Sequence, residues 1–161
     1  MTIELLTVAD DLSLDGIALL EINAWGGKPD SERIDARKRR LAEELDRLDP
    51  DTKSILVAKE SETVLGICRI KQRLENTKER MLFGLAVRPD HRRQNIGRDL
   101  VQAGLETART HGAHWIYSQT HADNGASIAF HRALGFHDEG GFTDLDGDEK
   151  IAFSIGGFSP S

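Results

Sequence analysis

Seven consecutive residues, Arg92-Arg93-Gln94-Asn95-Ile96-Gly97-Arg98, put three cations, an Asn and a Gly where a polar loop runs into an amphipathic helix. The loop follows the apolar run Leu85-Ala86-Val87 and is opened by Pro89. Such a turn aims backbone N–H groups at one point, at the positive end of the following helix, and that geometry binds phosphate. Arg92, Arg93 and Arg98 surround the same point with positive charge. The sequence is not a P-loop, because no Gly-Lys-Ser/Thr follows the turn. It also lacks the Gly-x-Gly-x-x-Gly of a dinucleotide fold. The plainer alternative is a basic loop that merely opens a surface helix.

A second stretch, Asn124 to Phe136, offers a helix cap at Asn124, a titratable His131 on the helix, and Gly135 as a C-cap with Phe136 packing beneath it. His131 can donate a proton near neutrality. Two other groupings look like metal sites and are not. His111, His114 and His121 have no Cys beside them, and the last two sit at opposite ends of one predicted strand. Asp144-Leu145-Asp146-Gly147-Asp148 resembles a calcium loop, but its Gly comes two places early and no Glu closes it. No metal is expected.

The elements that must hold these residues follow from periodicity. Ile3 to Val8 reads as a strand. Asp10 or Asp11 caps a helix carrying Leu12, Ile17, Leu19, Leu20 and Ile22, and Ser31 caps a second with Ile34, Leu41, Leu45 and Leu48. The stripe on that second helix is narrow, which suits a surface or an edge. Between them lies Asn23-Ala24-Trp25-Gly26-Gly27-Lys28-Pro29, a breaker cluster with an exposed Trp. Ser54 to Glu60 and Val64 to Gln72 form a hairpin. The polar residues Glu75 to Glu79 read as a loop before a strand from Arg80 to Val87. After the phosphate loop, Ile96, Leu100, Ala103, Gly104 and Ala108 line one helix face. Trp115 to Thr120 is a strand, Asn124 to Leu134 a short helix, and 137–143 and 150–155 a closing hairpin. Seven strands and four helices in this order give an α+β, or mixed α/β, fold with a largely antiparallel central sheet. Residues 1–156 read as a single domain and 157–161 as a loose C-terminal tail.

Composition bounds the function. A chain of 161 residues can bury a real core, and a formal net charge of −6 argues for no nucleic acid as partner. The single cysteine, Cys68, rules out a disulfide framework and suits a reducing, cytoplasmic setting. Neither a secretory leader nor a run of membrane-spanning length is visible, so no membrane role is expected.

Motif and order together resemble the GNAT N-acetyltransferase superfamily over nearly the whole chain. Its pyrophosphate motif, Gln/Arg-x-x-Gly-x-Gly/Ala, falls here on Arg92, Asn95 and Gly97. Asn95 replaces the first Gly, and Asn is the residue other than Gly that best accepts a left-handed backbone. The resemblance implies acetyl-CoA as cosubstrate. It assigns the pyrophosphate to Arg92, Arg93, Gln94, Asn95, Ile96, Gly97 and Arg98, and the pantetheine to the backbone of Leu85, Ala86 and Val87. Asn124 and Ser127 fall beside the pantetheine arm. His131 stands where many relatives carry a Tyr that protonates the departing CoA thiolate. The implied reaction is direct attack of an amine on the thioester, with a strand N–H stabilising the oxyanion.

That resemblance leaves the general base open. The strand reads Arg80-Met81-Leu82-Phe83 where some relatives carry a Glu, so Glu79, Glu21, Gln119, His121 and a water chain are all candidates. Specificity is expected from Trp25, Lys28, Asp30 and Glu32 and from Asp138, Glu139, Asp144 and Asp146; the acids among them would suit a cationic amine, and the plainer alternative is solvated turn charge. The expected acceptor is a small-molecule primary amine. Alternatives are a protein N-terminus or lysine, a non-catalytic acyl-CoA-binding regulatory module, and a CoA-independent interaction domain. A homodimer would be usual for the superfamily, although nothing in the sequence marks an interface.

Overall fold

The computed structural model describes residues 1–73 and 75–156, without the side chains of 76 and 77. The tail expected at 157–161 lies outside the described residues. Seven strands form one sheet in the order β1-β2-β3-β4-β5-β7-β6. They are β1 (Thr2–Leu5), β2 (Lys53–Glu60), β3 (Thr63–Arg73), β4 (Asn76–Val87), β5 (Trp115–His121), β6 (His137–Thr143) and β7 (Glu149–Gly156). The helices are α1 (Asp11–Trp25), α2 (Ser31–Asp46), α3 (Ile96–Thr110) and α4 (Gly125–Ala133). All neighbouring strands pair antiparallel except β4 and β5.

The sheet has a core on each face. On one, Ile70 and Leu82 pack with Leu100 and Val101 of α3, Ile116 and Phe153. On the other, Ile55, Val57, Ile67 and Ala86 pack with Ile17 of α1 and with Leu41 and Leu45 of α2. Strand alternation sends successive residues to opposite faces, so each of β2, β3 and β4 serves both cores. Cβ atoms at Gly66 and Gly104 would stand 2.8 Å from Leu100 and 2.7 Å from Ile70, so both glycines are needed for α3 to lie this close on β3.

Three sequence boundaries move. Helix α2 is capped by Asp30, whose carboxylate accepts from the Arg33 amide at 2.9 Å, and not by Ser31, which lies inside the helix. Asp combines a good cap with a charge suited to the helix dipole. Strand β1 stops at Leu5, and Val8 is exposed on the way into α1. Strand β4 begins at Asn76, where the sequence reads as loop. Its first residues extend the β3–β4 hairpin, with Arg73 opposite Asn76, so they follow the ladder without an apolar pattern.

Candidate active site

Strands β4 and β5 pair only from Glu79 to Met81 and from Trp115 to Tyr117. Beyond that point they part, and among the described residues the β4 edge from Leu82 to Val87 has no strand beside it. The amide of Arg88 donates to Leu65 of β3 at 2.8 Å. Peptide groups alternate in direction along a strand, so the backbone of Leu85 and Val87 faces the opening. A bulge lies just ahead of these residues. Ile67 pairs with Ala86 and Arg69 with Phe83, so β4 spends one residue more than β3. The turn is made at Gly84, whose φ is +65°. The bulge keeps Phe83 and Ala86 on the α1/α2 face and Leu85 on the α3 face.

The opening leads to the start of α3. Arg93 and Asn95 have φ of +65° and +62°, so the loop alternates through left-handed positions, and Asn95 does so as the sequence predicts. Asn95 is the N-cap of α3 by position, but its side chain makes no capping hydrogen bond. The first-turn amides therefore have no side-chain acceptor from the cap. Arg98 pairs with Asp99 and Arg88 with Asp90, whereas Arg92 and Arg93 have no ion pair among the described residues. Ile96 is buried under the loop, and Arg92, Arg93, Gln94 and Arg98 are exposed. A Cβ at Gly97 would stand 3.5 Å from the Phe130 ring and 3.7 Å from Val87, ordinary contact distances. The fold does not itself require glycine there; a group approaching the helix end would. Free amides, unpaired arginines and an unfilled glycine cradle fit a pyrophosphate.

Helix α4 closes this side. Asn124 caps it by accepting from the Ser127 amide at 3.1 Å. His131 is 5% exposed and lies stacked on Phe153. Its Nδ1 lies 2.7 Å from the Ser127 carbonyl, which can only accept, so the ring proton sits on Nδ1. Nε2 then accepts from the Ser118 hydroxyl at 2.8 Å. Burial lowers its pKa, with the Ser127 carbonyl opposing in part.

On the α1/α2 face, beneath the bulge, Glu21, Trp25, Arg37, Arg40, Glu44, Arg69 and Phe83 line a cleft of about 400 Å³. Tyr117, Ser118, Gln119, Glu139 and Phe142 line a second cleft over β5 and the last hairpin.

A model of the acetyltransferase (GNAT) family matches residues 19–136. This chain belongs to the GNAT family. Two curated relatives share short segments with it. One is the ribosomal protein bS18-alanine N-acetyltransferase of Escherichia coli, 35% identical over 60 residues, which are 37% of this chain and 40% of that protein. The other is an L-methionine sulfoximine/L-methionine sulfone acetyltransferase of Pseudomonas paraeruginosa, 43% identical over 54 residues, 34% of this chain and 31% of that protein. The match thus spans well under half the length of either relative. Among solved structures, an aminoglycoside 6'-N-acetyltransferase complexed with coenzyme A superposes with a TM-score of 0.78 at 15% identity, covering 100% of this chain and 99% of that one. At that identity the likeness is one of fold.

Within the GNAT frame the structure brings most predicted site residues together. A Cβ at Gly97 would meet both Val87 and Phe130, so the β4 end, the loop into α3 and α4 come together. His131 is a buried ring whose Nε2 meets Ser118, which lines the second cleft and which no motif in the sequence marks. Of the base candidates, Glu21 is buried and bonded to Arg69 at 2.9 Å and Arg37 at 3.2 Å. Glu79 faces Arg73 and Tyr117, and His121 is exposed at the end of β5. Asp30, Asp138 and Asp144 serve as caps, turn acceptors and ion-pair partners, whereas Trp25 and Glu139 line clefts. Arg37, Arg40 and Glu44 were missed. Their i, i+3, i+7 spacing on α2 was the available signal, and it reads as ordinary surface charge until Leu41 is seen facing the sheet. Among the described residues, no three His, Cys, Asp or Glu side chains converge as a metal site, and no helix is long and apolar enough to cross a membrane.

Proposed function

We propose that this GNAT protein is an N-acetyltransferase that moves acetyl from acetyl-CoA to a primary amine of a small molecule. The observation that carries the reading is the opening between β4 and β5, which continues into the uncapped, arginine-flanked start of α3. Acetyl-CoA, when bound, supplies an acetyl group activated as a thioester. Arg92, Arg93 and the amides of Asn95 to Arg98 would hold its pyrophosphate, Leu85 to Val87 would pair with its pantetheine as an added strand does, and Asn124 and Ser127 would flank the arm. A strand N–H of Leu85 to Val87, beyond the bulge, would be the donor to the developing oxyanion, where a preorganised donor is worth most.

Transfer is direct, because the chain offers no acyl carrier. Cys68 is buried, and burial pushes its thiol up to about 12, so it stays protonated. A cysteine in that state suits the reducing, cytoplasmic setting. His131 acts on the leaving group through the Ser118 hydroxyl: the proton that the attacking nitrogen loses passes through Ser118 Oγ to the free Nε2 of the neutral ring and returns by the same route to the departing thiolate. The acceptor cleft of about 400 Å³ favours a small molecule over a folded protein segment. The relatives' named acceptors, a ribosomal protein alanine and methionine sulfoximine or sulfone, are both primary amines.

The test is CoA thiol release from acetyl-CoA with a panel of primary amines, with the acetylated product identified by mass spectrometry. Turnover with small amines and none with peptides is the expected result. Tight acetyl-CoA binding with no release for any amine would instead make this a regulatory acyl-CoA sensor.

A further inference from the structure

The acceptor cleft is not acidic. Both of its carboxylates are already bonded to cations. Glu21, 1% exposed, takes Arg69 at 2.9 Å and Arg37 at 3.2 Å. Glu44 takes Arg69 at 3.0 Å and Lys53 at 2.6 Å. Arg40, one turn along α2 from Arg37, lines the same cleft and has no ion pair among the described residues. Arg37 is held in place by Glu21 and by the Trp25 ring, 5.5 Å from its guanidinium carbon, and its contact with Glu21 is through Nη2. Beside the cleft, Lys53 and Lys71 stand 5.6 Å and 4.8 Å from the centre of the Phe83 ring, which lines it. Arg37, Arg40 and Arg69 thus line the cleft against Glu21 and Glu44, an excess of one positive charge on a protein whose net charge is −6, and Lys53, bonded to Glu44, adds a second.

Resting on the N-acetyltransferase reading, we propose that the acceptor is an amine that also carries a carboxylate, such as an α-amino acid, with the carboxylate received by Arg40 and Arg37 on the α2 wall. Guanidinium groups bind carboxylates with paired, charge-assisted hydrogen bonds, and this cleft has guanidinium to spare. The excess charge has a second consequence. A positive field disfavours the ammonium form of the acceptor, so the amine sheds its proton to solvent without a dedicated carboxylate base. Polycationic amines are repelled by the same field.

The experiment compares free α-amino acids with their carboxamides and with a polyamine. Two readouts are used: CoA thiol release, and direct titration followed by Trp25 fluorescence, with the change taken relative to Trp25→Phe. Wild type is expected to prefer carboxylates by about tenfold or more. Arg40→Gln should bring the preference toward parity, and Arg40→Lys should restore part of it. Arg40 is exposed, so these variants should fold normally. Equal handling of acids and amides, preference for the polyamine, or no amino-acid binding in the titration overturns the inference. Turnover of uncharged amines alongside such a result leaves the transferase reading intact. Selective carboxylate binding without CoA release for any amine supports the pocket assignment and overturns the transferase reading instead.

Discussion

The proposed pyrophosphate site turns on Gly97. At the start of α3, replacing Gly removes a helix-destabilising residue, and an Asp in the first turn complements the helix dipole. Gly97→Asp should therefore leave the melting temperature unchanged or slightly raised, while placing a carboxylate where the pyrophosphate must approach. His131 makes the opposite case. Its pKa is lowered by burial, so the folded state holds the ring neutral while the unfolded chain takes a proton once pH falls below its ordinary value of 6.5. Stability should decline as pH drops through that value, and His131→Gln should flatten the decline in melting curves taken across it. The same variant should lower kcat at least tenfold with the KM for acetyl-CoA little changed, since the ring acts behind Ser118. Both residues were legible in the sequence as types at motif positions. The burial of His131 was not, because it depends on Phe153 and Ser118, which arrive from strands far along the chain.

Among the elements, β4 carries the most consequence. Its bulge at Gly84 turns on a positive φ, and a Cβ there would stand 3.1 Å from a guanidinium nitrogen of Arg69. Gly84→Val should cost about 1–3 kcal/mol in urea unfolding, and should lower kcat/KM more than that loss of stability explains. Arg69 in turn is tied to Glu21 of α1 and Glu44 of α2, so the pair joins both helices to the sheet beside the cleft. Glu21→Ala removes two charge-assisted hydrogen bonds from Arg69 but leaves it Glu44, and should destabilise the fold by about 1.5–3 kcal/mol, read from the shift in the urea midpoint. Strand and helix identities followed from periodicity, but the bulge did not, because one extra residue leaves an apolar pattern almost intact. The network was equally hidden, since 48 positions separate Glu21 from Arg69.

For the whole molecule, charge is arranged against the average. The chain is acidic overall, at −6, yet the loop into α3 and the cleft under α1 and α2 are both basic. Exposed arginines are screened by salt, so acetyl-CoA affinity should weaken as ionic strength rises. Topology was readable because the element order and the loop motif agree. The cleft was not, because its lining comes from α1, α2, β3 and β4 at once. The central claim is that the loop into α3 binds the pyrophosphate of acetyl-CoA. Calorimetric titration with acetyl-CoA, run on wild type and on Gly97→Asp, tests it most directly. A saturable isotherm is expected in the wild type and should be lost in a fully folded variant. Binding of equal strength in both, or in neither, would contradict it.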